Sequence, residues 1–175
     1  THGGSAAADI FIIENLIASE EKTPEDNPEQ ACSFGIHPWY LNGKNYEQLL
    51  GRVNLVTVFP NLVAIGEAGF DKLRGPSMEL QRRAFEEQIV ISEEIRKPVV
   101  IHCVRAWDVL LPSHKKLNPE IPWLIHGFRG NAELATQLLS KGMYLSFWFD
   151  FAMRTESSDL LKRLPTDRFF LETDG

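Results

Sequence analysis

The chain has 175 residues and a formal charge of −6, from 24 acidic and 18 basic side chains. That length suits one domain with one sizeable core. The charge excludes a protein that coats nucleic acid through a broad basic surface. It leaves room for an enzyme that grips phosphate with metals and a few arginines.

Two cysteines, Cys32 and Cys103, form no Cys-x-x-Cys pair. Reduced, buried thiols are therefore expected, rather than a disulfide framework or a zinc ribbon. No apolar run is long enough to span a bilayer, and no signal peptide is evident. A cytoplasmic location is the default expectation, with no membrane and no obligate protein partner.

Taken in chain order, short apolar runs alternate with longer amphipathic stretches. Ile10–Ile13 reads as the first strand, and the polar Glu20–Gln30 segment, with its two prolines, as a surface loop. Cys32–Ile36 is the next strand, and a helix is expected over Tyr46–Phe59, ahead of Pro60. After the Leu62–Ile65 strand, Ser77 can cap a helix running to about Arg96. Its inner stripe reads as Leu80, Ala84, Ile91 and Ile95, with Phe85 and Ile89 beside them. Val99–Ile101 is a strand; Ala106–Lys116 has a helical pattern that Pro112 is expected to kink or end. Trp123–Ile125 precedes a helix capped by Asn131 and stopped at Gly142. Met143–Phe147 and Phe169–Leu171 complete the strands, with a helix over Ser157–Leu164 between them.

These runs show little polar alternation, the pattern of strands buried on both faces of a parallel sheet. The β-α order of the second half implies right-handed crossovers and a closed or doubly wound sheet. Seven strands are counted, with room for an eighth just before Thr1. No repeat, linker or low-complexity block divides the chain, so residues 1–175 read as one domain.

The chemistry sits at strand ends. Ile36 is followed by His37, Ile65-Gly66 by Glu67, Ile101 by His102, Ile125 by His126, and Leu171-Glu172-Thr173 by Asp174. In a parallel barrel all C-terminal strand ends converge on one mouth. Imidazole with carboxylate is a ligand set for zinc, manganese or iron, and Glu67 is the natural bridge between two metals. His37, ahead of Pro38-Trp39, is read as shaping the loop or touching substrate. Glu172 is read as facing the helices, and His114, in a polar segment, as solvated.

The segments Gly35-Ile36-His37-Pro38, Ala64-Ile65-Gly66-Glu67-Ala68-Gly69-Phe70-Asp71, Val99-Val100-Ile101-His102-Cys103, Ile125-His126-Gly127-Phe128-Arg129-Gly130 and Leu171-Glu172-Thr173-Asp174 together resemble the TatD-family hydrolases of the amidohydrolase superfamily. The helix with Gln81 and Phe85 fits as well. The resemblance implies an α/β fold, a TIM-type (β/α) barrel. The short Gly3–Asp9 connection makes it a compact variant with an incomplete outer helix ring. It implies Glu67, His102, His126 and Asp174 as metal ligands. His2 would be the second histidine of the family's opening His-x-His motif. It further implies two or more divalent ions, zinc, manganese or magnesium, and deoxyribonuclease activity. Because the family's first histidine and its residues after Asp174 are not seen, the sequence is either trimmed at both ends or a degenerate member. Gly127 stands where the family usually has cysteine.

Arg105 and Arg129 each lie three residues past a strand-end histidine, where a guanidinium can grip phosphate in a bidentate way. The Phe147–Phe151 segment offers aromatic rings for base stacking, core packing or a lid. The reading that follows is a metal-dependent phosphodiester hydrolase acting on nucleic acid, DNA in particular. Glu67 and Asp174 carry the catalysis, Asp174 orienting the attacking water or taking its proton. His37, Arg105 and Arg129 hold substrate. The alternative is a small-molecule amidohydrolase that uses the same metals on an amide or ester. An intact set of Glu67, His102, His126 and Asp174 speaks against a catalytically silent scaffold.

Overall fold

The computed structural model describes residues 11–173. Seven strands form one parallel sheet in sequence order. They are β1 (Glu14–Ile17), β2 (Cys32–Gly35), β3 (Leu62–Asp71), β4 (Val99–Val104), β5 (Trp123–Ile125), β6 (Tyr144–Trp148) and β7 (Phe169–Glu172). The sheet curls into part of a TIM-type barrel, with helices on its outer side. These are α1 (Tyr46–Val56), α2 (Met78–Ile95), α3 (Trp107–Leu117), α4 (Ala132–Ser140), α5 (Phe149–Ala152) and α6 (Thr155–Arg163). Only a 3-10 turn, Pro24–Asp26, lies between β1 and β2, so the outer ring is incomplete there. Among the described residues, no helix is long and apolar enough to cross a membrane.

The core lies between sheet and helices. Phe70, Phe85 and Trp123 pack one against the next through it, tilted and then edge-on, with ring centroids 4.8 and 5.3 Å apart. α2 forms as its caps predict: the Ser77 hydroxyl accepts from the Leu80 N–H, and Arg96 turns left-handed at the end. Its buried face differs from the apolar stripe. Gln81, Gln88 and Ser92 lie at its centre, whereas Leu80 and Ile95 are only partly buried. The glutamines serve strand ends. Gln88 Oε1 accepts from the Ile36 N–H at 2.7 Å and its amide donates to the Ile36 and Ala84 carbonyls. Gln81 does the same for Asp71, accepting from its N–H at 2.8 Å and donating to its carbonyl at 3.0 Å. Backbone groups just past β2 and at the end of β3 thus find partners inside the protein.

Four expectations need correction. Among the described residues the first strand is Glu14–Ile17, and Phe11–Ile13 of the expected Ile10–Ile13 run lie ahead of it, Ile10 being outside the described residues: Glu14 pairs with Cys32 and Ile17 with Gly35. Phe11, Ile12 and Ile13 are exposed instead, on the wall of the cavity inside the curled sheet. An apolar run fixes a strand only when a partner strand takes up its backbone bonds, and here the partner pairs four residues later. Burial on both faces fails at the edge, where Phe170 and Leu171 of β7 are more than half exposed. Of the kink or end expected at Pro112, the end does not occur: α3 runs on to Leu117. Pro112 sits on the exposed side, where solvent can take the bond that its missing N–H leaves open. His114 is half-buried, its ring edge-on to Trp123 at 4.7 Å, rather than solvated.

Both cysteines are free, and burial pushes the Cys103 thiol up to about 12.

Two predictions follow from this packing. Gln88→Leu strands the Ile36 amide and should cost about 1–3 kcal/mol, the price of one buried unpaired donor; urea denaturation measures it. Burial, helped by Lys141, holds the His114 imidazole below its ordinary 6.5. The unfolded chain therefore takes up that proton first. The stabilisation from neutral His114 is complete above pH 6.5 and is lost as pH falls through the folded-state value. Between pH 7.5 and 5 the melting temperature should fall less for His114→Gln than for the wild-type chain.

Candidate metal centre

Glu67 reaches the mouth because β3 carries one extra residue. Ile65 pairs with Val99 and Ala68 with Ile101, so three steps on β3 match two on β4. Such a bulge redirects the side chain at its crest. The two backbones press together here. A Cβ at Gly66 (φ 122°) would lie 2.4 Å from the Val100 carbonyl oxygen, and one at Gly69 1.9 Å from that of His102. Only glycine fits either position.

Three imidazoles converge on the Glu67 carboxylate. Its Oε2 lies 3.5 Å from His37 Nε2, 3.7 Å from His102 Nδ1 and 3.7 Å from His126 Nε2. Oε1 accepts from the Asn15 amide at 2.6 Å, and Asn15 in turn accepts from the Ser33 hydroxyl. Two of the rings are backed by a second carboxylate. His102 Nε2 is 3.0 Å from Asp71 Oδ2, which also accepts from the Trp39 indole at 2.6 Å. Asp71 Oδ1 accepts from the Leu73 and Arg74 N–H groups, which fixes its orientation. His126 Nδ1 is 2.7 Å from Glu172 Oε2, to which Ser146 donates at 2.6 Å.

These bonds assign the tautomers. A neutral His102 gives its proton to Asp71 and turns Nδ1 toward Glu67. A neutral His126 gives its proton to Glu172 and turns Nε2 the same way. Two nitrogen lone pairs facing a carboxylate repel unless a cation lies between them, and a backing carboxylate is the usual partner of a metal-ligating histidine. The ligand atoms of His37, Glu67 and His102 all lie within 4.8 Å of one another. This donor set, nitrogen with carboxylate oxygen, fits a divalent cation. His37 is the exception within it. Its Nδ1 accepts from the Trp39 N–H at 3.1 Å, so the neutral ring carries its proton on Nε2 and serves as a donor.

Burial works against a charged Glu67, but without a cation in the site the facing rings of His102, His37 and His126 outweigh it when they carry protons toward the carboxylate. They hold the carboxyl well below its usual range. Asp71 is lowered likewise: burial opposes, while the Trp39 and His102 bonds prevail.

The structure thus brings His37, Glu67, His102 and His126 together. His2 and Asp174 lie outside the described residues. Arg105 is exposed, with φ 51°, in the turn between β4 and α3. Arg129 stacks on the Trp148 ring at 3.7 Å. Of the aromatic segment, Phe147 is core, Phe151 stacks on it, and Phe149 is exposed. Glu172 corrects the sequence reading: it faces the site, not the helices. Alternation along a strand places residues two apart on one face, so its spacing from Asp174 carried the signal. Asn15, Ser33, Asp71 and Ser146 were not singled out for any role. For Asp71 the signal was an acid closing a long apolar strand ahead of Lys72-Leu73-Arg74-Gly75.

A family model described as TatD related DNase matches residues 10–175. The 3'-5' ssDNA/RNA exonuclease TatD of Rahnella sp. (strain Y9602) is 31% identical over 161 residues, covering 89% of this chain and 61% of that protein. Its counterpart in Klebsiella pneumoniae (strain 342) is 31% identical over 169 residues, covering 92% and 64%. The uncharacterized metal-dependent hydrolase YabD of Bacillus subtilis (strain 168) is 30% identical over 132 residues, covering 73% and 52%. The chain therefore spans less than two thirds of the length of these relatives. Among solved structures, the TatD homologue YJJV from Escherichia coli K12 superposes with a TM-score of 0.76 at 24% identity, over 97% of this chain and 70% of that one. A TatD family hydrolase from Entamoeba histolytica gives 0.71 at 23% identity, over 86% and 53%. These two show likeness of fold.

Glu172→Gln keeps an acceptor for His126 but removes its charge. Titration calorimetry should show divalent-metal affinity weakened about 10–100-fold, with little change in the melting temperature of metal-free protein.

Proposed function

We propose that this chain, which belongs to the TatD-related DNase family, hydrolyses phosphodiester bonds of nucleic acid, DNA in particular, at the Glu67 centre. The observation that carries the reading is the single carboxylate oxygen faced by three imidazole nitrogens, two of them on rings anchored by further carboxylates. The relatives named as 3'-5' ssDNA/RNA exonucleases support the substrate class.

In this reading Glu67, His102 and His126, with His2 and Asp174, hold two divalent ions: zinc, manganese or magnesium. Bound there, the ions supply positive charge that acidifies water and offsets the charge growing on the phosphate oxygens. The chain's own groups do the rest. Asn15 fixes the Glu67 carboxylate so that one oxygen stays directed at the centre. Asp71 and Glu172 fix the imidazole planes. His37, with its proton on Nε2, donates to a phosphate oxygen of the substrate. Arg105 and Arg129 grip flanking phosphates, and Asp174 orients the attacking water and accepts its proton.

The test uses the natural full-length protein with Mg²⁺ or Mn²⁺. It should shorten DNA, and chelation should stop it. Asp174→Asn removes the basicity while keeping the size, and should lower turnover about 10²–10⁴-fold, with melting temperature nearly unchanged. Near-normal turnover in Asp174→Asn with metal bound removes Asp174 from the mechanism. Metal-loaded protein that spares DNA and cleaves amides or carboxylic esters makes the chain a small-molecule amidohydrolase instead.

A further inference from the structure

A second cleft, of about 450 Å³, opens between the β5–α4 turn and the α5–α6 pair. Arg129, Arg154 and Arg163 line it, together with Asn131 and Ser157. Arg129 sits over Trp148, which pairs in register with Glu172, the partner of His126, so the cleft adjoins the metal centre. Arg129 places its guanidinium carbon 3.7 Å over the Trp148 ring, and its N–H groups can serve an acceptor.

Four features mark it as a site for an anion. Among the described residues none of the three arginines forms an ion pair, whereas Arg83 and Arg96, elsewhere on the surface, pair with Glu47 and Glu120. Arg154 is the N-cap of α6, where the helix dipole disfavours a cation; an anion between them reverses that cost. α4 begins at the same cleft, its N-cap being Asn131, so two helix N-termini meet there. Ser157 is buried in the wall at 3% exposure, and among the described residues its hydroxyl has no hydrogen-bond partner. Asp159 is an acid on the wall, and it lies 3.9 Å from Lys162.

We infer that this cleft binds a backbone phosphate of single-stranded nucleic acid beyond the bond being cut, and so sets the path of the strand across the mouth. The inference rests on the phosphodiesterase reading. Against the chain's net charge of −6, a local cluster of unpaired arginines is a means of holding a polyanion.

The probe is an octathymidylate with hydrolysis-resistant phosphorothioate linkages, titrated into metal-loaded full-length protein at several salt concentrations. The double variant Arg154→Gln/Arg163→Gln should raise Kd roughly tenfold or more and flatten the log Kd against log salt slope by about 1.4, from ~0.7 per lost phosphate contact. Arg83→Gln/Arg96→Gln, which removes the same charge elsewhere, should change neither. Equal binding and an equal slope in the first variant and the wild-type protein overturn the cleft while leaving the phosphodiesterase reading intact. Equal weakening by both double variants also overturns it, since net charge then accounts for the effect. A wild-type protein that binds no oligonucleotide and cuts none overturns both.

Discussion

The site depends on how closely β3 lies against β4. Without side chains at Gly66 and Gly69 the two backbones can meet, and one extra residue on β3 is then absorbed as a bulge. The bulge turns a carboxylate into the mouth of the curled sheet instead of continuing the alternation. Every other polar group of the centre takes its position relative to Glu67: Asn15 and Ser33 from the β1 and β2 side, His102 and Asp71 beside it, His126 and Glu172 from across the sheet. A Cβ at either glycine forces β3 away from β4. Position 67 would move with it.

The histidines show how one side-chain type serves two purposes. His102 presents Nδ1 to the centre and His126 presents Nε2, the choice in each case set by which ring nitrogen a backing carboxylate takes. Among the described residues His37 has no carboxylate behind it. A backbone N–H points at its Nδ1 instead, which turns the same chemical group from an electron-pair donor toward the centre into a proton donor. The difference arises in the second layer of contacts, from Trp39, Asp71 and Glu172.

That second layer is also where the sequence was least readable. The strand-end positions of Glu67, His102 and His126 follow from apolar runs and the convergence of parallel strands, and the caps Ser77 and Asn131 stand where local chemistry puts them. These signals are local or topological. The register of β1 was not readable, because Ile10–Ile13 and Glu14–Ile17 are both strand-like and only pairing with β2 distinguishes them. Nor was the inner face of α2: Gln81 and Gln88 count as polar in any periodicity, yet they are buried because strand-end backbone needs partners there. Glu172 lies on the site face because strand alternation puts residues two apart on one side of β7.

The division of labour between the two sides of the sheet sets what each kind of substitution can do. Apolar burial is concentrated between sheet and helices, around Phe70, Phe85 and Trp123. The inner side instead bounds a cavity of about 1310 Å³ on which Glu67, His126, Ser146 and Glu172 open. Groups on that side contribute little hydrophobic stabilisation. Divalent metal should therefore stabilise the fold, because it binds only where the strands have already brought these ligands together. The stabilisation should shrink when Asp71 or Glu172 loses its charge, even though neither faces the metal directly. Fold and metal site are thus coupled through the cation.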